Sequence, residues 1–264
     1  MALDKLVRTI LPGKVRSIIG TRLLRAVTDH SRILPIYLKV IHGHSLPLTV
    51  RGNTASYVYL GRTIECPKDG IGSFLEVFQE SVYDSIHTPQ EGDIVVDIGA
   101  YVGMWSVRAA LSGGTVIAVE PDPTNRLFLS NNTDGLPITI LPWAVSNHNG
   151  LETLYLSSTS SCHSSVIKSD RKMEIECRTV DTIAEKCGKK IDFLKIDAEG
   201  AELKVLQGAE ETLKGRIRLS IASYRSVPDG HPETGVLVKF LEDRGLTVET
   251  NSGLRRYIYA AKNK

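Results

Sequence analysis

Apolar and polar positions along the chain form short blocks that predict strands and helices in alternation. Apolar runs bounded by glycine, proline or acidic residues predict strands at 94–97, 115–120, 138–145, 191–197, 217–223, 246–250 and 255–261. Apolar residues at helical spacing predict helices near 103–112, 123–134, 201–214 and 234–245. Such alternation is typical of an α/β fold with a parallel sheet covered on both faces. The last two strands, joined through Asn251-Ser252-Gly253, predict an antiparallel hairpin at the sheet edge.

A serine-rich segment, Ser157–Ser165, interrupts this alternation between the third and fourth strands. It is followed by an additional predicted strand, Met173–Val180, and a predicted helix, Thr182–Cys187, with Asp181 as its N-cap. Long irregular segments inside compact domains tend to be functional or disordered. We therefore expect the serine-rich segment to form a lid on the substrate side.

The first 90 residues have a different pattern, which divides the chain into an N-terminal helical/β extension, 1–90, and a main domain, 91–264. Residues 1–45 predict basic amphipathic helices, 46–66 predict short strands, and 72–83 predict a helix with Ser73 as N-cap and Glu76 completing a capping box. Residues 1–40 hold eight basic and two acidic side chains. Three roles stay open for this basic segment. It could pack as a cap on the main domain or on a dimer partner, contact an anionic membrane surface, or bind an acidic substrate carrier.

Composition narrows the class of protein. The net charge is +2, and because residues 1–40 are strongly basic the remainder is acidic, which makes a nucleic-acid partner unlikely. The four cysteines, Cys66, Cys162, Cys177 and Cys187, form no C-x-x-C pair, so we expect neither a zinc site nor a disulfide framework. No apolar run approaches the ~18 residues of a membrane span. These features predict a cytoplasmic protein, with surface contact to a membrane as an open alternative.

The run from Ile94 to Gly103 joins an apolar strand to an apolar helix through two glycines and one acid. Gly99 allows the tight turn, Gly103 allows the helix to pack close to the sheet, and N–H groups at the helix start can face a ligand. Asp97, at the carboxyl end of the strand, would repel a pyrophosphate and attract a cationic amino acid. The glycines also lack the G-x-G-x-x-G spacing of dinucleotide sites. The loop therefore predicts binding of S-adenosylmethionine.

A second acid supports this prediction. The strand 115–120 ends in Glu120, which is followed by Pro121 and the next helix. An acid at this position can accept both ribose hydroxyls of an adenosine, as in other doubly wound nucleotide sites. We therefore expect Glu120 to bind the ribose.

A third segment, 191–202, is again a buried strand that ends in acids. The fourth strand of such a sheet lies beside the first, so Asp197 and Glu199 are expected to face the transferred methyl group. Asp197 is the first candidate for a general base or for orienting the acceptor, and Glu199 is the second. Lys195 is expected to pair with one of these acids as a structural contact. Glu202 is expected to favour the start of the next helix.

Other candidates for chemistry are weaker. Asp197 and Glu199 carry oxygen ligands that magnesium prefers, but two acids are too few to infer a metal, so none is predicted. His163 and His231 have the right chemistry for a base. We interpret each of them as an exposed loop histidine.

These three segments resemble the signatures of FkbM-family methyltransferases, and the resemblance covers roughly residues 72–225. It implies a Rossmann-like class I methyltransferase fold with a seven-stranded, mostly parallel sheet. The implied reaction is methyl transfer from S-adenosylmethionine to a hydroxyl of a sugar, a glycan or a small natural-product scaffold. By position it assigns Asp97, Gly99, Ala100 and Gly103 to the methionine end, Glu120 to the ribose, and Trp143 and Ala144 to the adenine. Tyr101, which stands where the family often has asparagine, and Pro121 complete the expected cofactor set.

Some alternatives stay open. For Trp143, packing in the core is as open an interpretation as contact with the adenine. A methyltransferase that acts on RNA or protein, and a non-catalytic module that binds adenosylmethionine, are the other classes of function. The sequence predicts neither the acceptor nor an oligomeric state.

Overall fold

The structure is a computed structural model that describes residues 48–157, 160, 163–223, 233–251 and 256–263, with only the backbone of residue 233. The chain divides into two compact units, residues 1–74 and 75–264. The helices predicted in residues 1–45 lie outside the described residues. Residues 75–90, which we assign above to the extension, belong to the second unit, and a domain boundary at residue 90 stays a prediction.

The described part of the first unit is a small antiparallel sheet. Its strands are β1 (Leu48–Arg51), β2 (Thr54–Tyr59) and β3 (Arg62–Pro67), in the order β1-β2-β3. Ala55, Ile64 and Cys66 are fully buried on one face, and the Tyr57 ring lies 5.7 Å from the Phe74 ring. The short strands expected here are present, together with the additional strand β3.

The helix predicted over 72–83 is shorter and irregular. An α-helical turn, Gly72–Phe74, is followed by a π-helix, Leu75–Gln79. Ser81 then has a φ of 50°, in the left-handed region that ends a regular helix. Tyr83 therefore lies in a turn beyond the helix.

The second unit contains the predicted seven-stranded, mostly parallel sheet, with a smaller sheet beside it. The strands are β4 (Ile94–Ile98), β5 (Thr115–Val119), β6 (Ile138–Leu141), β7 (Ala144–Val145), β8 (Gly150–Tyr155), β9 (Lys172–Arg178), β10 (Phe193–Ile196), β11 (Ile217–Ala222), β12 (Thr247–Thr250) and β13 (Tyr257–Lys262). The main sheet has the order β12-β13-β11-β10-β4-β5-β6. Strand β13 is antiparallel to both of its neighbours, and the other pairs are parallel. The expected hairpin is β12–β13; most of its turn lies outside the described residues.

The segment predicted as one strand over 138–145 is two strands in two sheets. Strand β6 ends at Leu141, and β7 pairs in parallel with β9. Strand β8, which the sequence analysis does not predict, pairs with the other edge of β9 in antiparallel fashion. The resulting sheet, β7-β9-β8, leads directly into the serine-rich segment.

In the described part of the second unit, five helices connect the strands: α1 (Met104–Leu111), α2 (Pro123–Thr133), α3 (Val180–Cys187), α4 (Glu202–Gln207) and α5 (Glu233–Glu242). The helix predicted over 201–214 is thus split into α4 and a 3₁₀ turn, Thr212–Lys214. Asp122 caps α2 by accepting a hydrogen bond from Asn125 N at 2.8 Å, and Pro123 follows it at the first helical position.

The predicted N-cap of α3 is wrong. Thr179 caps the helix, because its hydroxyl accepts a hydrogen bond from Thr182 N at 3.0 Å. The Asp181 carboxylate instead accepts hydrogen bonds from Glu211 N at 2.9 Å and Thr212 N at 2.8 Å. Asp181 therefore fixes the 3₁₀ turn that follows α4.

The described residues bear on the expectations about membrane spans, cysteines and metal sites. No helix among the described residues is long and apolar enough to cross a membrane. Cys66, Cys177 and Cys187 are free thiols, and Cys162 lies outside the described residues. Within the described ranges, no three histidine, cysteine or acidic side chains form a group that could hold a metal ion.

The core of the second unit lies on the central strands. Val95, Val96 and Ile98 of β4 and all four residues of β10 are buried, as expected for parallel strands covered on both faces. The exceptions to this apolar pattern are Asp97 in β4 and Lys195 in β10. Since a buried charge is costly unless it is paired, these two side chains need partners.

Candidate active site

Asp97 and Lys195 are partners of each other. Strands β4 and β10 run in parallel with these two residues side by side. Lys195 Nζ lies 2.9 Å from Asp97 Oδ1 and donates a hydrogen bond to Gly99 O at 2.9 Å. Ser106 Oγ donates to Asp97 Oδ2 at 2.6 Å. Lys195 thus forms a structural pair with an acid, but the partner is Asp97 on the neighbouring strand and not, as we expect from the sequence, one of the acids of its own segment.

We expect Asp97 to face the cofactor in a crevice at the carboxyl ends of β4, β5 and β10, but its carboxylate does not project into this crevice. Its side chain has no exposed surface, and its charge is balanced by Lys195 inside the sheet. Through Lys195, this pair holds the carbonyl of Gly99 at the start of the loop. The assignment of Asp97 to the methionine end stays a prediction, and the structure favours an effect through the loop backbone.

The two glycines of the loop are required by close contacts. Gly99 has a φ of 70°, and a Cβ there would lie 1.9 Å from Asp197 O. Gly103 has a φ of 83°, and a Cβ there would lie 2.5 Å from Leu129 Cδ1 in α2. Gly103 therefore permits the packing of α1 on α2, whereas the sequence analysis expects packing on the sheet. Ala100, between them, is buried, and its N–H donates to Val119 O at 3.1 Å.

Glu120 lies directly after β5, with 5% of its surface exposed. Its carboxylate accepts hydrogen bonds from Tyr101 N and Asp122 N, both at 2.9 Å, and lies 3.4 Å from Asn125 Nδ2. Burial raises the pKa of Glu120 to about 7, although these donors oppose the shift. Glu120 thus connects the loop after β4 with the start of α2. The neighbouring Pro121 presents its carbonyl to Arg126 at 2.5 Å.

Trp143 and Ala144 follow β6, where we expect the adenine. Trp143 is 7% exposed and belongs to the main apolar core. Arg178 and Lys186 lie over its ring, with the Lys186 Nζ 4.6 Å from the ring centroid. Ala144 pairs with Cys177 in the small sheet. The structure therefore favours core packing for Trp143, and a role of either residue at the adenine stays a prediction.

Asp197 follows β10 and lies beside the glycine loop. Its N–H donates to Ile98 O at 3.0 Å, and its carbonyl makes the close approach to Gly99. The Tyr83 hydroxyl donates to Asp197 Oδ2 at 2.6 Å. The expected meeting of the first and fourth strands at this end of the sheet is therefore confirmed.

Glu199 lies in a strained loop that Glu202 holds in place. Glu199 has a φ of 51°, in the left-handed region that side chains other than glycine rarely adopt. The Glu202 carboxylate accepts hydrogen bonds from Ala198 N and Gly200 N, both at 2.9 Å. The structure thus agrees with the expectation that Glu202 acts at the start of α4. Its hydrogen bonds on both sides of Glu199 fix the unusual conformation.

Described residues of the serine-rich segment contact both ends of this crevice. Ser160 lies with its Oγ 2.8 Å from Tyr101 Oη, and its carbonyl accepts from Asn125 Nδ2 at 3.0 Å. Ser164 Oγ donates to Glu199 O at 2.7 Å. Ser160 and Ser164 thus lie against the predicted site, and the action of the segment as a lid stays a prediction.

The interpretation of His163 as an exposed loop residue is wrong. Its side chain is 14% exposed, and its Nδ1 accepts a hydrogen bond from Ser157 N at 3.0 Å. Its Nε2 lies 3.8 Å from a carboxylate oxygen of Asp122, the cap of α2. His163 therefore belongs to the rim of the crevice. His231 lies outside the described residues.

Three polar side chains of the site are absent from the sequence-based assignment. Ser106 could have been found, because it is a polar residue on the apolar face of α1. Asn125, at the start of α2, and Tyr83 give no comparable local signal. Both reach the site only through the packing of the unit.

In sequence, the chain is similar to known methyltransferases. Residues 97–247 match the model of the methyltransferase FkbM domain. The chain is 29% identical over 228 residues to the 31-O-demethyl-FK506 methyltransferase FkbM of Streptomyces tacrolimicus, which covers 71% of this chain and 86% of that protein. It is 27% identical over 129 residues to the hexuronic acid methyltransferase AglP of Haloferax volcanii, which covers 47% of this chain and 53% of that protein. The matched range 97–247 contains every residue that we predict to be catalytic or cofactor-binding.

Among solved structures, a methyltransferase FkbM from Methylobacillus flagellatus KT superposes with a TM-score of 0.49 and 17% identity. It covers 93% of this chain, and the chain spans 59% of that protein. A SAM-dependent methyltransferase from Aquifex aeolicus superposes with a TM-score of 0.44 and 18% identity, covering 72% of this chain and 92% of that one.

Proposed function

Since this chain belongs to the FkbM methyltransferase family and uses S-adenosylmethionine, we propose that it methylates a hydroxyl group on a sugar, a glycan or a small natural-product scaffold. The observation that supports the proposal is the close approach of the Asp197 backbone carbonyl to Gly99, because an acidic residue then follows β10 beside the loop that we expect to bind the cofactor. One relative is named for a 31-O-demethyl compound and another for hexuronic acid, and these names support a small-molecule or sugar acceptor.

The described residues fit the cofactor in their chemistry. Glu120 offers a carboxylate to ribose hydroxyls, and the N–H groups of Tyr101 and Asp122 hold that carboxylate in place. Gly99 and Gly103 let the neighbouring loop pack closely against Asp197 and against α2, which gives the loop its conformation. We propose that Asp97 supports this loop from below, through Lys195 and the carbonyl of Gly99.

The reaction needs alignment and the removal of a proton. When bound, S-adenosylmethionine supplies a methyl group on a sulfonium, which leaves as a neutral thioether. An acceptor hydroxyl must lose its proton as its oxygen forms the new bond, so a base close to that oxygen is expected. We propose Asp197 for this role, or for orienting the hydroxyl, and Glu199 as the second candidate. Alignment of the acceptor is expected to contribute most of the rate, up to about 7–11 kcal/mol in the best intramolecular cases.

Transfer of radiolabelled methyl from S-adenosylmethionine tests the proposed acceptor class. The purified full chain is incubated with labelled cofactor and separate fractions of small molecules, lipid-linked sugars, glycans, protein and RNA. Label that is stable to mild base in a sugar, glycan or small-molecule fraction is the expected result, because ethers resist such treatment. Label in RNA or protein would contradict the proposal. Binding of S-adenosylhomocysteine without any transfer would instead indicate a non-catalytic module.

The affinity for S-adenosylhomocysteine should increase with pH. A carboxylate that accepts two ribose hydroxyls must be ionised, and burial raises the pKa of Glu120 to about 7. The ionised fraction then grows about tenfold between pH 6 and pH 8, and the association constant should grow by a similar factor. Calorimetric titration at a series of pH values measures it. In Glu120→Gln the affinity should be lower at pH 8, and the part of the pH dependence that belongs to Glu120 should disappear.

The same shift has a consequence for stability. Because the folded-state pKa of Glu120 is raised above 4.5, its contribution to stability is complete below pH 4.5 and is lost as the pH rises through about 7. Glu120→Gln cannot lose a proton. Between pH 5 and pH 8 the free energy of unfolding of the wild type should therefore fall relative to that of Glu120→Gln. If the difference in free energy of unfolding between the two proteins is the same at pH 5 and at pH 8, the pKa of Glu120 is not raised.

A further inference from the structure

The turn that follows the π-helix is fixed to α1 by a buried acid. Asp84 accepts a hydrogen bond from Trp105 Nε1 at 2.7 Å and forms an ion pair with Arg108. Arg108 also donates to Val77 O at 2.8 Å. One residue after Tyr83, the backbone is therefore held by two side chains of the same helix.

The same turn is fixed to the sheet by a tyrosine of β13. The Tyr259 hydroxyl donates to Val82 O at 2.5 Å and lies 2.8 Å from Ser85 Oγ. The residues on both sides of Tyr83 are thus anchored, by α1 through Asp84 and by β13 through Val82 and Ser85. Such anchoring on rigid elements is what precise placement of a side chain requires.

Tyr83 points from this turn to Asp197, which lies at the carboxyl end of β10. Its surface is 3% exposed, and its ring packs edge-on against Trp105 and Tyr257, with centroid distances of 6.4 Å and 5.4 Å. Lys195 Nζ lies 5.0 Å from the ring centroid. The hydroxyl donates to Asp197 Oδ2 at 2.6 Å, a length typical of a hydrogen bond to a charged acceptor.

We propose that Tyr83 is a positioning residue for the methyl transfer, acting through its hydrogen bond to Asp197. The bond holds one carboxylate oxygen and thereby sets the plane of the carboxylate toward the acceptor hydroxyl. Because the ring is wedged between two aromatic side chains and its backbone is anchored on both sides, Tyr83 cannot follow a rotation of Asp197. The inference rests on the proposed function for the role of Asp197, but the hydrogen bond itself does not.

Two single-atom deletions separate positioning from packing. Tyr83→Phe keeps the aromatic ring and removes the hydroxyl that contacts Asp197. Tyr259→Phe removes a hydroxyl that contacts the same turn at Val82 and Ser85 and does not contact Asp197. Each variant loses a hydroxyl from a buried ring, so Tyr259→Phe is the matched control for a general loosening of the turn.

With the acceptor found by the radiolabel experiment, kcat of Tyr83→Phe should fall about 10- to 100-fold, because a small displacement of a catalytic group has effects of this size. KM for the acceptor and the affinity for S-adenosylhomocysteine should stay within about twofold of the wild type. Tyr259→Phe should keep its kcat within about twofold of the wild type, because Asp84 still anchors the turn to α1 and the Tyr83 hydroxyl still donates to Asp197. An unchanged kcat in Tyr83→Phe, or an equal loss in both variants, would overturn the proposal.

Crystal structures of the two variants give a readout that needs no acceptor. In Tyr83→Phe, the Asp197 carboxylate should rotate away from its wild-type orientation or occupy two orientations, with and without S-adenosylhomocysteine. In Tyr259→Phe it should keep the wild-type orientation. A carboxylate unchanged in Tyr83→Phe would refute positioning by Tyr83. Failure of the wild type to bind S-adenosylhomocysteine or to methylate any hydroxyl would refute the proposed function alone.

Discussion

Replacing Lys195 by methionine should lower the free energy of unfolding by about 3–5 kcal/mol, because the Asp97 carboxylate would stay buried without its partner. Methionine fills most of the volume of the lysine side chain, so loss of packing contributes little. Denaturant unfolding, followed by far-UV circular dichroism, measures the change. This is the largest effect on stability that we expect from a single substitution in the sheet.

Lys204→Met is the matched control. Lys204 lies 2.9 Å from Glu152, but it is 41% exposed, so removal of this pair should cost less than about 1 kcal/mol. The double variant Asp97→Asn/Lys195→Met removes the buried charge together with its partner. It should recover most of the stability that Lys195→Met loses. If the double variant is as unstable as Lys195→Met, the cost does not come from an unpaired charge.

The same substitution reports on the cofactor loop. Lys195 also donates to Gly99 O, so Lys195→Met should weaken binding of S-adenosylhomocysteine even under conditions where the protein stays folded. Lys204→Met should bind it normally. Weakened binding in Lys195→Met alone would support our inference that the pair acts on the cofactor through the loop backbone.

Asp197→Asn should lower kcat by about 10²- to 10⁴-fold, the contribution typical of general acid–base catalysis. Asparagine has the same shape and can still accept the hydrogen bond from Tyr83, so the loop should keep its conformation. The affinity for S-adenosylhomocysteine should therefore stay within about twofold of the wild type. Single-turnover and steady-state assays on the acceptor found by radiolabel transfer measure these parameters.

Glu199→Gln is the informative comparison. It makes the same chemical change two residues further along the loop, and we expect a smaller loss of kcat because Glu199 is the second candidate. A larger loss in Glu199→Gln than in Asp197→Asn would exchange their proposed roles. Turnover of Asp197→Asn at the wild-type rate would remove Asp197 from the mechanism.

Most strands of the main sheet were predictable because their signals are local. Strands β4 and β10 are buried on both faces, so each reads as a nearly continuous apolar run in which one charged residue stands out. That Lys195 pairs with an acid follows from this pattern, since a lone buried charge would be too costly, but the identity of the partner, Asp97, depends on the neighbouring strand. Glu120 could be recognised for the same reason, as an acid at the end of an apolar strand.

The small sheet and the N-cap of α3 were less predictable, because in each case the local sequence fits more than one structure. The apolar run 138–145 does not reveal that the chain changes sheets after Leu141, which depends on the partner strand β9. Thr179 and Asp181 are both good N-caps by residue type. The choice between them depends on the backbone N–H groups of Glu211 and Thr212, which need Asp181 and lie far along the chain.

The sequence by itself determined the order of strands and helices, the acids at the strand ends and the membership of a methyltransferase family, because these features depend on neighbouring residues. Only the tertiary structure decided which groups meet. It turned Asp97 inward to Lys195, brought the Asp197 carbonyl against Gly99, and placed Tyr83 on the Asp197 carboxylate. The physical reason is that each of these contacts joins residues on different elements. Their distance is set by packing of the whole sheet, which no local pattern records.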